Sequence, residues 1–286
     1  MSTILQKVKR GVPLRWRTRL RRSLAWLPGT RWLARVPLSE WNVDFLLGGA
    51  MKAGTTALSS FLDQHPEIHM PPGKEAHFFD VDDNFPPDGS PDYRSYHARY
   101  CPPATTRILG DATPLYLYQE NVAPRVACYN PRMKWILLLR HPVERAHSHW
   151  NMNRVQGREP LDFLAALDQE PNRRTTPQDQ RWYSYFDRGY YARQLRHLLR
   201  YFPRRQLLIL RTEDLAERHD ETLRLIFSFL EVDSRLRIDA GRVHCHPHEA
   251  PIPAPAWQRG QETFHQDMRE LEELLGWDLS SWRDRR

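Results

Sequence analysis

A short stretch of the chain, GGAMKAGTT at residues 48–56, contains the residue types that bind a phosphate or a similar anion. Gly54 lets the main chain approach an anion closely, and Thr55 and Thr56 bring hydroxyl donors to the same place. Lys52 adds a mobile positive charge. These features predict an anion-binding loop, although a strand–turn–helix corner capped by glycine and threonine would use the same residue types.

A nucleotide-binding loop of the Walker type does not describe this stretch. That motif is G-x-x-x-x-G-K-[ST], with the lysine directly after the last glycine, whereas Lys52 precedes Gly54. The sequence also shows no clear magnesium-binding aspartate after a second strand. A nucleotide-dependent kinase is therefore the weaker of two enzyme interpretations.

The stretch instead resembles the loop that binds the 5′-phosphosulfate in sulfotransferases dependent on 3′-phosphoadenosine 5′-phosphosulfate (PAPS). The pattern of that family is Lys-x-Gly-Thr-Thr, or close to it, directly after the first strand. The resemblance implies that PAPS is the co-substrate and that 3′-phosphoadenosine 5′-phosphate (PAP) is the product. It also implies that Lys52 stabilises the charge on the leaving phosphate and that the donor is bound by Lys52, Ala53, Gly54, Thr55 and Thr56.

Residues 140–150 are similar to the 3′-phosphate motif of the same family, which is an arginine at a strand end followed eight residues later by a serine. Arg140 and Ser148 match that pattern. A guanidinium fork suits a phosphate, and a hydroxyl two helical turns further on can face the same ligand. Arg145, which lies between them, is expected to form a salt bridge on the helix surface.

Residues 74–80, KEAHFFD, look like the Lys-Glu-x-His-Phe-Phe-Asp stretch of the heparan-sulfate-type and bacterial carbohydrate-type sulfotransferases. The glutamate of that stretch accepts the proton of the acceptor hydroxyl, so the resemblance implies that Glu75 is the catalytic base. His77 follows two residues later and is a candidate to assist the proton transfer. Steroid and phenol sulfotransferases use a histidine elsewhere in the chain instead.

The resemblance covers roughly residues 43–282 and implies transfer of a sulfuryl group to a hydroxyl, with no metal required. Two departures concern the acceptor. Ala112 stands where animal heparan 3-O-sulfotransferases have a lysine, and no Lys-Gly-Arg loop occurs near residues 240–255. The sequence therefore does not specify heparan sulfate, and the acceptor could be a carbohydrate, a lipid-linked glycan or a small natural product.

Two other stretches have residue types that attract attention. The run HCHPHE at residues 244–249 contains zinc-ligand types, but no second ligand pair is visible. The family resemblance instead implies that this run is a loop over the nucleotide, where the family closes its binding site. The run WYSYF at residues 182–186 is expected to belong mainly to the core. A surface on which a sugar stacks is the alternative for that run.

The elements that position these residues follow from the hydrophobic pattern. Apolar strand-like runs and helical patterns alternate along the chain, with strands at 43–47, 135–139 and 206–210 and helices at 55–64, 143–155 and 191–199. This alternation predicts an α/β fold, a P-loop-like three-layer domain with a central parallel sheet flanked by helices. Residues 80–106 lack periodicity and are expected to form a surface insertion.

The net charge of +7 on the 286-residue chain is concentrated at its N-terminus. No acidic residue precedes Glu40, whereas 10 of the 42 Lys and Arg do, and the other 32 face all 35 Asp and Glu. The body of the chain is therefore not a general polyanion binder, and we expect no nucleic-acid partner. We predict a basic amphipathic arm at residues 1–39 and a sulfotransferase domain at residues 40–286.

The arm has apolar residues at helical spacing between residues 14 and 27. It is expected either to dock on the domain or to contact an anionic membrane surface through residues 7–35. No apolar run approaches the ~18 residues that span a bilayer, and no signal peptide is evident. Three separated cysteines without a C-x-x-C motif favour a reducing compartment. These features predict a bacterial cytoplasmic enzyme, located at the inner face of the membrane if the arm binds lipid.

Overall fold

The computed structural model describes residues 42–87, 90–240 and 251–283. Within these ranges the chain forms a five-stranded sheet in the order β2-β3-β1-β4-β5, in which every neighbouring pair is parallel. The strands are β1 (Phe45–Gly49), β2 (Ile68–His69), β3 (Ile108–Asp111), β4 (Lys134–Leu139) and β5 (Leu207–Arg211). The predicted parallel sheet is confirmed, and the three strands expected from apolar runs are present.

Helices connect the strands and flank the sheet. In the described ranges they are α1 (Thr55–Asp63), α2 (Tyr93–His97), α3 (Val122–Tyr129), α4 (Pro142–Val155), α5 (Phe163–Arg173), α6 (Pro177–Tyr183), α7 (Tyr191–Leu199), α8 (Thr212–Glu217), α9 (His219–Leu230), α10 (Ala254–Leu275) and α11 (Ser280–Arg283). The helices predicted at 55–64, 143–155 and 191–199 correspond to α1, α4 and α7. The α/β class is therefore confirmed.

The central strands are apolar because both faces of the sheet are covered. Every residue of β1 is buried, and so is every residue of β4 after Lys134. Parallel strands of this kind have apolar runs instead of a polar–apolar alternation. Gly260 of α10 shows how tightly the outer helices pack, since a Cβ at that position would lie 2.1 Å from Cγ2 of Val143 in α4.

The segment expected to be a surface insertion is partly a core element. Tyr96 and Tyr100 are buried. Phe78 stacks on Tyr96 with ring centroids 4.6 Å apart, and Tyr93 lies 4.9 Å from Tyr129 of α3. The expectation was wrong for these aromatic residues because their contacts are with distant parts of the chain, which a local search for periodicity does not detect.

The carboxyl ends of β1, β4 and β5 meet at one edge of the sheet. Thr212, directly after β5, donates its hydroxyl to the carbonyls of Ala53 at 2.8 Å and Leu139 at 3.1 Å. The loop that follows β1 is therefore held by the ends of two other strands. Ligands of open parallel sheets bind at this edge.

Some of the sequence predictions concern residues outside the described ranges. The basic arm at residues 1–39 and the histidine-rich run at residues 244–249 both lie there, so they stay predictions. None of the helices in the described ranges combines the length and the apolar character that crossing a membrane requires.

Candidate active site

The loop between β1 and α1 presents main-chain N–H groups to the carboxyl edge of the sheet. Gly54 has a φ of 90°, a left-handed conformation that favours glycine, and it precedes the first turn of α1. As the N-cap residue, Gly54 forms no side-chain hydrogen bond to that turn. The first N–H groups of a helix lack partners within the helix, so this turn offers donors to an anion.

Lys52 is surrounded by more positive than negative charge. Burial lowers the pKa of its ammonium, and the charges of Arg140 and Arg145 lower it further. Glu75 acts in the opposite direction, so the loop and the stretch at residues 74–80 are close enough to interact. An anion bound at this loop would offset the repulsion among the three cations.

Glu75 belongs to a chain of charged groups. His77 Nε2 lies 3.0 Å from Glu75 Oε2, and His77 Nδ1 lies 2.7 Å from Asp80 Oδ2. Burial would raise the pKa of Glu75, but the hydrogen bond to His77 and the charge of Lys74 outweigh it and lower that pKa. Glu75 is therefore ionised at neutral pH, as a general base must be.

His77 has two competing partners at one nitrogen. Arg181 Nη2 lies 2.6 Å from the same Nε2 that faces Glu75. Burial lowers the pKa of His77, but the hydrogen bonds to Asp80 and Glu75 prevail and raise it to about 9. The imidazolium donates to Glu75, and only the neutral ring can accept from Arg181, so near neutral pH the Glu75 contact is favoured.

The main chain around His77 is fixed by two buried hydroxyls. The N–H of Ala76 donates to Thr113 Oγ1 at 3.0 Å, and the N–H of Phe78 donates to the hydroxyl of Tyr116 at 3.1 Å. Both hydroxyls donate in turn to Asp111, at 2.8 and 3.0 Å. Asp111 is fully buried at the end of β3. One carboxylate thus supports the segment that contains the proposed base.

Lys74 links the two motifs directly. Its Nζ donates to Thr55 Oγ1 at 3.1 Å and to Thr56 Oγ1 at 3.0 Å, and it lies 4.0 Å from Glu75 Oε1. Burial is the main cause that lowers the pKa of Lys74 to about 8. Sequence reasoning assigned both threonines to the donor but gave Lys74 no role. The signal was its position next to Glu75.

Arg140 and Ser148 lie on the same partly exposed face of the segment at residues 140–150. Between residues 140 and 150, Arg140, Glu144 and Ser148 are partly exposed, and all the others are buried. Arg140 Nε forms an ion pair with Glu144 at 3.0 Å, and its Nη1 lies 3.5 Å from the carbonyl of Lys52. The structure therefore brings Arg140 to the loop and places Ser148 two turns further along the same face.

The surface salt bridge expected for Arg145 is wrong. Its side chain is fully buried and donates Nη2 to the carbonyl of Tyr185. Its Nε and Nη1 have no hydrogen-bond partner within the part of the chain that the structure describes. Arg188 is a second buried arginine, with Nη1 2.6 Å from the sulfur of Met51 in the loop. Sequence reasoning missed this internal positive charge because nothing in the pattern distinguishes a buried arginine from an exposed one.

The run at residues 182–186 divides between the two interpretations. Ser184, Tyr185 and Phe186 are buried, as expected of a core. Trp182 is partly exposed at the end of α6, and Arg158 stacks over its ring at 4.0 Å.

Among the described residues no cluster of three or more metal-ligand side chains occurs.

The family model described as the sulfotransferase domain matches residues 42–246. The chain belongs to this family. The solved sulfotransferase from Alicyclobacillus acidocaldarius is similar to it in structure, with a TM-score of 0.75 and 29% identity, covering 85% of this chain and 99% of that one. The family resemblance and the P-loop-like α/β fold inferred from the sequence are confirmed.

Curated relatives match this chain over part of their own length. Human heparan sulfate glucosamine 3-O-sulfotransferase 3A1 is 31% identical over 188 residues, which is 66% of this chain and 44% of that protein. Membrane-associated sulfotransferase kil1 of Dictyostelium discoideum is 34% identical over 110 residues, which is 38% of this chain and 23% of that protein. The chain therefore spans less than half the length of these two relatives.

Proposed function

We propose that this member of the family transfers a sulfuryl group from PAPS to a hydroxyl of a carbohydrate or another small-molecule acceptor. One observation carries the proposal. The anion-binding loop and an ionised carboxylate meet although they belong to different motifs, since Lys74 hydrogen-bonds Thr55 and Thr56 of the loop and lies 4.0 Å from Glu75 Oε1. Sulfuryl transfer needs these two groups on opposite sides of the transferred group, one at the leaving phosphate and one at the attacking hydroxyl.

The donor side suits a nucleotide with phosphates at both ends. Lys52 and the N–H groups of the first turn of α1 would hold the 5′-phosphosulfate, together with Ala53, Gly54, Thr55 and Thr56. Arg140, directly after β4, and Ser148, on the partly exposed face of α4, would bind the 3′-phosphate. The surplus of positive charge around Lys52 supports this assignment, since it favours a multiply charged anion.

The acceptor side suits removal of one proton. Glu75 would take the proton of the attacking hydroxyl, and general bases contribute about 10²–10⁴-fold to a rate. His77 would hold the carboxylate in position through its Nε2 and stabilise its charge, since its other nitrogen is fixed by Asp80. Lys52 would neutralise the charge that develops on the bridging oxygen of the departing phosphate.

A carbohydrate acceptor is supported by the name of the human relative, a heparan sulfate glucosamine 3-O-sulfotransferase, and by the partly exposed ring of Trp182. Trp182 is next to Arg181, which contacts His77, and a sugar could stack on the face of its ring that Arg158 does not cover. Ala112 is buried at the position discussed for the animal enzymes and supplies no charge. The proposed acceptors are therefore hydroxylated carbohydrates and small natural products.

We also propose that the protein acts in a bacterial cytoplasm, with peripheral membrane contact through residues 7–35. The basic composition of that arm supports the membrane contact, and one relative is named as membrane-associated. Vesicles containing anionic lipid should bind the full chain more strongly than a chain lacking residues 1–38. Equal binding of the two would contradict the membrane contact without affecting the proposed chemistry.

The decisive experiment for the function compares ligands at the donor site. Isothermal titration with PAP and with ATP should show a clear preference for PAP, because only PAPS-dependent transfer requires recognition of a 3′-phosphate. Transfer of labelled sulfate from PAPS to a panel of glycans and phenolic or alcoholic small molecules should then identify the acceptor class. A preference for ATP would favour the kinase interpretation instead.

A further inference from the structure

A third charged group lies on the path between donor and base. Thr55 and Thr56 open the helix that would hold the donor phosphate, and Glu75 marks where the acceptor oxygen must lose its proton. Lys74 Nζ contacts both sides, since it hydrogen-bonds the two hydroxyls at 3.1 and 3.0 Å and lies 4.0 Å from the carboxylate. The transferred group must cross this short interval.

We propose that Lys74 is a further catalytic residue, whose ammonium binds the non-bridging oxygens of the sulfuryl group while it moves from donor to acceptor. This inference rests on the proposed function of the site. It assigns different tasks to two lysines. Lys52 acts on the oxygen that departs with the phosphate, and Lys74 acts on the group that is transferred.

The transfer that Lys74 would assist is balanced without any additional reactant. The bond between sulfur and the bridging oxygen breaks, and its electron pair stays on the phosphate of PAP. A new bond forms between sulfur and the acceptor oxygen, whose proton passes to Glu75. Lys74 keeps its proton throughout and donates its N–H groups to the sulfuryl oxygens in place of the hydroxyls of Thr55 and Thr56.

The main chain on both sides of Lys74 is held in place. Arg99 Nη2 donates to the carbonyl of Gly73 and to the carbonyl of Glu75, both at 3.4 Å. Gly73 has a φ of 74°, the left-handed conformation that lets the chain turn immediately before Lys74. The side chain is thereby directed at the loop, and about a fifth of it is exposed.

The bonds of Lys74 are ones that a ligand can replace. Its ion pair with Glu75 is long, and its hydrogen bonds are to neutral hydroxyls, so the ammonium is not neutralised by a close carboxylate contact. The charges that face it are Glu75 on its own segment, Lys52 on the loop and Asp111 at the end of β3. An anionic sulfuryl group would supply the counter-charge that these surroundings leave incomplete.

The test compares Lys74→Met, which keeps the length of the side chain without its charge, with Lys74→Arg and the unchanged protein. Lys134→Met is the matched control, because Lys134 lies at the amino end of β4 and pairs with Glu231. The measurements are affinity for PAP, which has no sulfuryl group, and the rate of sulfate transfer in a single turnover. The pH dependence of that rate is recorded for each variant.

We expect Lys74→Met to bind PAP within about threefold of the unchanged protein and to transfer sulfate about 10²-fold more slowly, the typical effect of removing one donor from a developing anion. Lys74→Arg should restore part of the rate. Because the pKa of Lys74 is about 8, the rate of the unchanged protein should fall as the pH rises through the alkaline range. Lys74→Arg should move that fall to higher pH, since a guanidinium keeps its proton. If Lys74 had a purely structural role, Lys74→Arg would leave the alkaline fall of the rate at the same pH.

The contrary outcomes are distinct. Normal transfer by Lys74→Met overturns the assignment, and so does an equal loss of PAP binding and transfer, which would make Lys74 a ground-state donor contact. If Lys74→Met does not fold, an unshifted alkaline limb in Lys74→Arg overturns it instead. If the unchanged protein prefers ATP over PAP and transfers no sulfate, the proposed function has failed before Lys74 is tested, and the assignment fails with it.

Discussion

The two halves of the candidate site are built in different ways. The donor loop at residues 48–56 is held by main-chain geometry and by Thr212, whose hydroxyl bonds two carbonyls at the edge of the sheet. The base segment at residues 74–80 is held by side chains, above all the hydroxyls that Asp111 orients. The loop therefore depends on backbone conformation, and the base depends on a buried polar network.

This difference separates binding from chemistry. Changes at Glu75 or in the Asp111 network should reduce turnover while the donor still binds, because Thr212 holds the loop independently of these groups and, among the described residues of the base segment, only Lys74 hydrogen-bonds the loop. Changes on the donor side should reduce affinity first. Substitutions at Glu75, Arg140 with Ser148, and Asp111 test how far this separation holds, and one at His77 tests the stability of the base segment.

The largest effect is expected from Glu75→Gln, which keeps the shape of the side chain but cannot accept a proton. Turnover should fall by roughly 10²-fold or more, while PAP affinity stays near that of the unchanged protein. Single-turnover sulfate transfer and isothermal titration measure the two quantities. Glu231→Gln, exposed at the opposite end of the sheet, is the control. Near-normal transfer would show that Glu75 is not the base, and His77 would be the next residue to test.

Arg140→Ala tests the donor side alone. A hydrogen bond to a charged group contributes about 1.5–3 kcal/mol, so PAP affinity should fall roughly 10- to 10²-fold. Adenosine 5′-phosphosulfate, which lacks the 3′-phosphate, should bind almost as before, and Ser148→Ala should show the same selectivity with a smaller loss. The control is Arg205→Ala on the exposed turn before β5. Equal losses for both nucleotides would remove the 3′-phosphate assignment.

Asp111→Asn tests the framework of the base segment. The amide would place an NH₂ group against hydroxyls of Tyr96, Thr113 and Tyr116 that now donate to the carboxylate. We expect kcat to fall about tenfold, with KM for the donor and PAP affinity little changed. Asp168→Asn, on the exposed side of α5, is the control. A fall in PAP affinity as large as the fall in kcat would contradict the independence of the two halves.

The smallest effect concerns stability and pH. The pKa of His77 is raised to about 9, so its contribution to stability is fully present below pH 6.5 and is lost as the pH rises through 9. The full shift would correspond to about 3 kcal/mol, and solvent screening of this partly exposed group reduces it to about 1–2 kcal/mol. Urea unfolding at pH 6 and at pH 9.5 should show a larger difference between the unchanged protein and His77→Gln at the lower pH. His265→Gln, exposed on α10, is the control.

The donor half of the site was predictable from the sequence because its determinants are local. Gly54 and Thr55 follow an apolar run, and Arg140 follows another, so patterning locates both at strand ends. The structure places all of them at the same edge of the sheet. The pattern also predicted three of the five strands, β1, β4 and β5, because covered parallel strands are apolar along their whole length.

The support of the base half was not predictable in the same way. Asp111 and Tyr116 are more than thirty residues from the segment they hold, and neither occurs in a periodic pattern that indicates a hydrogen bond. β2 and β3 are too short to have an apolar signature, and Arg181 reaches His77 from a helix about a hundred residues away. Contacts between distant residues decide these features, and a single sequence does not show which distant residues meet.

The Asp111 network also sets a limit for protein engineering. Transplanting residues 74–80 into another scaffold would carry over the glutamate and the histidine but would leave the N–H groups of Ala76 and Phe78 without the hydroxyls that accept them. The structural unit that positions Glu75 is therefore discontinuous in sequence, and it consists of residues 74–80 together with residues 111–116. A grafted or recombined version should retain both pieces from the same parent.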